Sequence, residues 1–345
     1  MDYCSDSPFR EDGARRALHG AWTDPASRSI VTLYLVRRVS QSIVVVILVT
    51  IITFLMLHYL PGGPARAVLG VHANAETIRA FDVANGYNLP LVNQYWVYVD
   101  HLLHGQLGYS YKLNEPVSTL LSMDLPKSAY LSGLALILTV LIAIPLGVYQ
   151  AVRRNKPDDY VVTSLSFIGY SMPTFWLGLL LIAVFSIYLK WFPPSAPSAP
   201  TVSGAISDPR AMVLPVMTLT IVGVASFSRY MRSSAIESLA QDYIRTARAK
   251  GVSRRSLLFV HMLRNAILPI VTLLGLSIPI LLSGNLITES VFNYPGIGLL
   301  FWNSAITRDY PVLLALTLVV AVFTVIGNLL ADIGFSLIDR RVNLS

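Results

Sequence analysis

Polar and apolar positions follow one another along this chain in long blocks, not at the short periods of soluble helices and strands. Stretches without Asp, Glu, Lys or Arg run over Val39–Ala65, Ser128–Val152, Tyr160–Leu189, Ala211–Ser228, Asn265–Thr288 and Tyr310–Ala331. A bilayer core about 30 Å thick needs roughly 20 apolar residues in a helix. Ala211–Ser228 falls just short of that and the others reach it. The pattern predicts six spans, at about 39–60, 129–150, 161–189, 211–231, 266–288 and 311–335. A seventh uncharged stretch, Ser290–Thr307, contains Asn293, Pro295, Gly296, Gly298 and Asn303, and reads as a short re-entrant or surface helix.

Composition agrees with an all-α, polytopic membrane protein. The 345 residues are 54% hydrophobic and only 13% charged, about half the charge of a soluble domain. That much apolar material excludes disorder over most of the chain. Cys4 is the one cysteine, so no disulfide forms within the chain.

The net charge of +7 is informative only through its distribution. Nineteen Lys and Arg fall in the N-terminal segment, the second and fourth connections and the tail; seven fall in the other connections. Lys and Arg accumulate on the cytoplasmic side of membrane proteins, so both termini are expected there. The net charge is then +8 on the cytoplasmic face and −1 outside. Basic residues beside spans report topology and disfavour a nucleic-acid partner. Residues 1–33 read as a polar, mobile cytoplasmic extension, with no apolar segment of signal-peptide type.

Three connections are long enough to carry function. The external region 61–126 contains helical pieces such as Leu91–Leu103, and Tyr95, Trp96, Tyr98 and Tyr109 are candidates for contact with an external partner. Trp191–Arg210 carries five prolines and reads as an extended external loop. The cytoplasmic connection, 237–264, is the most basic part of the chain.

No catalytic constellation is present: no phosphate-binding Gly-x-x-x-x-Gly-Lys-Ser/Thr, no His-Glu-x-x-His, no Gly-x-Ser-x-Gly. Glu289 and Asp332 are the acids nearest membrane depth, but both sit at span edges, where hydration makes a charge inexpensive. A proton-coupled secondary transporter, the competing class, would place an acid well inside a span. Pro145, Pro173, Pro215 and Pro279 lie in or beside apolar runs and suit helix bends in a pathway that gates.

The segment Glu237–Pro269 reads ESLAQDYIRTARAKGVSRRSLLFVHMLRNAILP. Tyr243–Lys250 forms a short helix in this reading, ended by Gly251 as a C-terminal cap, and a second helix follows from about Ser253. Composition alone leaves a topology-enforcing or lipid-attracted basic loop equally open. The segment resembles the cytoplasmic loop of ABC-transporter permeases, patterned Glu-Ala-Ala, three residues, Gly, then Ile-x-Leu-Pro. Arg245, Thr246 and Ala247 occupy the Glu-Ala-Ala positions, Gly251 the glycine, and Ala266-Ile267-Leu268-Pro269 the end; Arg245, Thr246 and a longer gap before Leu268-Pro269 depart from the pattern. From about Tyr34 onward, LPGGP, QYWVYVDHLLHGQLGYSYKLNEPVSTLL, IPLGVYQAVRR, SMPTFWLGLLL and ESVFNYPGIGLLFWNSAITRDYP resemble the first, B-type permease of dipeptide and oligopeptide importers.

That resemblance implies a type I ABC importer permease fold in a bacterial cytoplasmic membrane. It implies no catalysis and no cofactor in this chain. ATP and Mg would be bound by two partner ATPase subunits, a second permease would supply the other half of the pathway, and an external binding protein would deliver the solute. The implied coupling residues are Tyr243, Arg245, Thr246, Ala247, Ala249, Lys250 and Gly251, with Leu268 and Pro269 at the segment's end. Peptide is the commonest solute of the branch; nickel, glutathione and other small solutes are the alternatives.

Overall fold

Backbone donors inside a bilayer cannot reach water, so apolar runs of this length close their hydrogen bonds within helices. The structure, a computed structural model, describes residues 25–338 except 60–64, 67–68, 71–72, 111 and 199–200. Residues 1–24 of the expected extension therefore lie outside the described residues, as does the side chain of Asp332.

Helix α1 spans Pro25–His58. Two shorter helices follow, α2 (Ala75–Ala84), capped by the Asn74 side chain, and α3 (Leu91–Leu103). An antiparallel hairpin pairs β1 (Tyr109–Ser110) with β2 (Glu115–Pro116) and leads into α4, Val117–Val152. Then come α5 (Pro157–Ser171), α6 (Thr174–Tyr188, its last seven residues π-helical), α7 (Val202–Ser207) and α8 (Pro209–Leu239). Beyond α8 lie α9 (Asp242–Ala249), α10 (Arg254–Ala266) and α11 (Leu268–Ser283). The chain closes with α12 (Leu286–Val291), α13 (Ile297–Thr307) and α14 (Tyr310–Ile338).

Among the described residues, four segments are long and apolar enough to cross a membrane unaided: Val36–Met56 of α1, α4, α8 and Tyr310–Ala331 of α14. Two bent pairs, α5 with α6 and α10 with the first part of α11, raise the number to six if each is one crossing. The α4–α8 pair forms the centre of the bundle, with α5 against α8 and with α11 and α1 against α14. Gly147 allows the close approach of α4 and α8: a Cβ there would stand 2.6 Å from that of Met231. Apolar residues gather at two levels along this pair. Leu131, Leu177, Leu214 and Tyr294 pack at the end away from α9, and Met231, Ile244, Met262 and Ile270 pack at the α9 end.

The expected element boundaries shift at four places. The region 61–126 ends at Pro116, because α4 starts ten residues earlier than Pro126 would suggest and runs through that proline. Residues 161–189 are not one straight span; the helix breaks at Met172 and Pro173 and turns by 106°. The fifth apolar run stops at Ser283, where Gly284 takes φ +76°, and α10 meets α11 at 45°. The fourth span runs on to Leu239, past its expected end near 231, so α8 reaches into 237–264 and the two helices expected there follow it directly. Pro145 and Pro215, expected at bends, lie inside α4 and α8, each continuous through its proline. Pro279 lies inside α11, against Gly327 of α14.

Candidate functional site

Helix α9 has eight residues and two faces. Ile244 (1% exposed) and Ala247 (7%), three apart and so on one side, enter the core shared with Met231, Leu257 and Met262. Asp242, Arg245, Thr246, Ala249 and Lys250 lie on the exposed side. Ala247, one of the implied coupling residues, therefore packs against the chain's own helices and is not part of an outward surface. The surface consists of Arg245, Thr246, Ala249, Lys250 and Gly251, with Tyr243 at its margin.

The helix ends in a Schellman arrangement. Gly251 N–H donates to the Arg248 carbonyl (3.1 Å) and Val252 N–H to that of Ala247 (3.2 Å). Gly251 holds φ +75°, a value that strains residues with a Cβ, and Val252 packs into the same core as Ala247. Tyr243 provides the second anchor. Its hydroxyl shares a 2.5 Å hydrogen bond with Ser238 Oγ, at the end of α8, and Ser238 Oγ–H also reaches the Met262 carbonyl of α10 (3.2 Å). One hydroxyl pair thus ties α8, α9 and α10 together. Arg245 pairs with Asp242 at 3.2 Å on the open surface. Leu268 and Pro269 open α11, with proline in the first turn, where its missing N–H breaks no helical bond.

The aromatic residues of the region between α1 and α4 separate into two groups. Tyr95 and Tyr98 face inward: their hydroxyls bond Thr50 (2.9 Å) and Thr53 (3.2 Å), and both rings pack on Phe54 of α1. Burial raises the Tyr98 hydroxyl above the ordinary tyrosine range. These two hold α3 on α1 instead of facing a partner. Tyr109 donates to Asn114 Oδ1 within the hairpin region, and Trp96 is 64% exposed.

Two polar centres escaped the sequence reading. Glu289 is not at a hydrated edge; it is 0% exposed. Its Oε1 accepts from Asn285 N–H (2.9 Å), and Oε2 from Gly298 (2.7 Å) and Leu299 (3.3 Å) N–H. Ser128 also donates to it and accepts from Ile297 N–H (2.9 Å). Asn285 reaches Ser132 (2.6 Å) and Tyr294 the Lys127 carbonyl (2.8 Å), so the chain from Gly284 to Leu299 is clamped to α4. A Cβ on Gly296 would fall 2.4 Å from both Glu289 Oε2 and Ser128 Oγ. The second centre is Asp159, buried at the start of α5, which accepts two bonds from Arg232 of α8 (2.8 and 2.7 Å). The partners are 73 residues apart in sequence, a pairing that no local pattern announces.

Residues 143–344 match the family model described as binding-protein-dependent transport system inner membrane component. Residues 31–132 match its companion, described as Binding-prot-dependent transport system membrane comp, N-term. The oligopeptide transport system permease protein AppB of Bacillus subtilis is 39% identical over 311 residues, covering 90% of this chain and 98% of its own. The glutathione transport system permease protein GsiC of Salmonella choleraesuis is 37% identical over 309 residues, covering 90% and 98%. These matches extend through both membrane-crossing halves and the α9 segment, and the chain belongs to the family of binding-protein-dependent transport system inner membrane components, the helical permease subunits of ABC importers.

Proposed function

We propose that this chain is the first, B-type permease of an ATP-driven importer of di- or oligopeptides and that α9 is the element on which a partner ATPase acts. The observation that carries this reading is the mounting of α9. It is short, capped at Gly251, cored by Ile244 and Ala247, and tied through Tyr243 and Ser238 to α8 and α10. A push on its exposed face would be transmitted to the long helix α8 and to α10 without being absorbed by a loop. The chain itself would perform no chemistry; ATP and Mg would be bound by two ATPase subunits beneath it. A second permease would complete the pathway, and an external binding protein would load it. The excess of Lys and Arg beside α9 and at both ends of the chain supports a cytoplasmic side for them on this reading.

Peptide as the solute draws on the names of the relatives, oligopeptide for the Bacillus protein and glutathione, a modified tripeptide, for that of Salmonella. The coupling role is tested with the assembled transporter in membrane vesicles. Ala249→Trp adds bulk to an exposed position and leaves the core of α9 untouched. Gly251→Pro imposes φ near −65° where the chain needs +75°. Both are expected to insert normally yet reduce ATP-dependent peptide uptake by at least about tenfold, the equivalent of roughly 1.4 kcal/mol of docking. Uptake at the normal rate by Gly251→Pro would rule the role out.

A further inference from the structure

A cavity of about 200 Å³, mostly apolar but carrying a few polar side chains, lies between α4, α5 and α8, toward the Val152 end of α4 and away from Ser128 and Ser132 of the Glu289 clamp, and has no part in the coupling surface. Two of its lining side chains are buried with an atom unsatisfied. Gln150 is 2% exposed and Ser228 is 0% exposed, and neither Gln150 Oε1 nor Ser228 Oγ has a hydrogen-bond partner among the described residues. The Gln150 amide group is already oriented, since its Nε2 donates to Thr163 (3.2 Å). A buried acceptor and a buried hydroxyl left empty cost free energy unless something in the cavity meets them. At the cavity's margin Arg229 stacks on the Tyr170 ring, 4.8 Å from its centroid, with no carboxylate partner among the described residues. Arg232, beside it, is already neutralised by Asp159. The cavity thus asks for three things together: an anion for Arg229, a hydrogen-bond donor for Gln150, and a group that bonds a hydroxyl.

Depth narrows the source. Helix α8 carries no charge from Ala211 to Ser228, a length of roughly 27 Å, so Arg229 is the first charge beyond the hydrocarbon core. Next to the cavity α5 exposes Val161, Leu165 and Ile168, an apolar flank suited to acyl chains. We propose that this cavity seats the headgroup of a phospholipid, its phosphate on Arg229 and its hydroxyl or ammonium arm on Gln150 and Ser228. Phosphatidylglycerol and phosphatidylethanolamine both carry such an arm. Phosphatidylcholine, whose trimethylammonium has no N–H, does not. The inference needs only the chain's place in a membrane and is independent of any coupling role for α9.

Native mass spectrometry of the assembled, delipidated transporter tests it by titration with each of the three lipids. Phosphatidylglycerol or phosphatidylethanolamine is expected to bind once per copy of this chain, about tenfold more tightly than phosphatidylcholine, as one hydrogen bond in a dry site allows. Arg229→Gln should weaken all three lipids. Ser228→Ala removes no bond that the protein makes for itself, so it should leave the unfolding temperature unchanged while bringing the preferred lipid down toward phosphatidylcholine. Equal binding of the three lipids would overturn the proposal, as would wild-type binding by both variants or no binding at all, the result expected if the second permease seals the cavity. Occupation by soluble glycerol phosphate as readily as by lipid would overturn the membrane source.

Discussion

At the scale of single residues, Glu289 shows how much depends on where donors point. Along the sequence it is an acid after an uncharged run, and such an acid at a membrane edge is ordinarily wet. In the fold the chain turns at Phe292 and Asn293, whose φ is +50°, and three backbone N–H groups and the Ser128 hydroxyl converge on the carboxylate. Glu289→Ala should strip these donors of their acceptor and cost about 3 kcal/mol or more, seen as a lower unfolding temperature of the detergent-solubilised transporter. An unchanged unfolding temperature would mean that water or a rearranged loop satisfies them. Gly251 is the opposite case. A glycine following a short apolar-faced helix is readable as a C-cap from sequence, and its left-handed φ follows from local backbone geometry alone.

At the scale of elements, α9 was legible as a helix because its signals are local: a polar exposed face, a short length and a glycine at the end. Its attachment was not, since Ser238 and Met262 belong to other helices. Tyr243→Phe deletes the shared hydroxyl bond at a cost of about 1 kcal/mol. It is expected to speed amide hydrogen exchange in α9 and to lower uptake per ATP hydrolysed, with the transporter still assembled. Unaltered exchange in α9 would show that Ile244 and Ala247 hold the helix by themselves. The α5–α6 break illustrates a different gap. Pro173 marks a place where a helix can break, but proline chemistry does not set an angle, and the 106° turn goes with the packing of α6 against α8 and α12, where Leu177 and Leu181 share a core with Leu214 and Phe292.

At the scale of the molecule, the region between α1 and α4 is a small structure mounted on α1 by Tyr95 and Tyr98, leaving Trp96 as the outward aromatic. A cysteine in place of Trp96 is expected to crosslink to the external binding protein during transport, whereas cysteines at 95 and 98 are not. Absence of any crosslink from position 96 would leave the region as a cover for the pathway only. The number and placement of apolar runs, the uneven distribution of Lys and Arg, and the helix–glycine unit at 242–251 were all determined by the sequence itself. Hydrophobicity, charge sidedness and helix capping act over about twenty residues or fewer, so they need no knowledge of neighbours. The tertiary structure decided which charges are buried and which polar atoms go unmet: Glu289 under its donors, Asp159 on Arg232, and Gln150 and Ser228 facing an open cavity. Each depends on atoms brought together from distant parts of the chain, and a buried charge or hydroxyl is defined by that surrounding rather than by its own residue type.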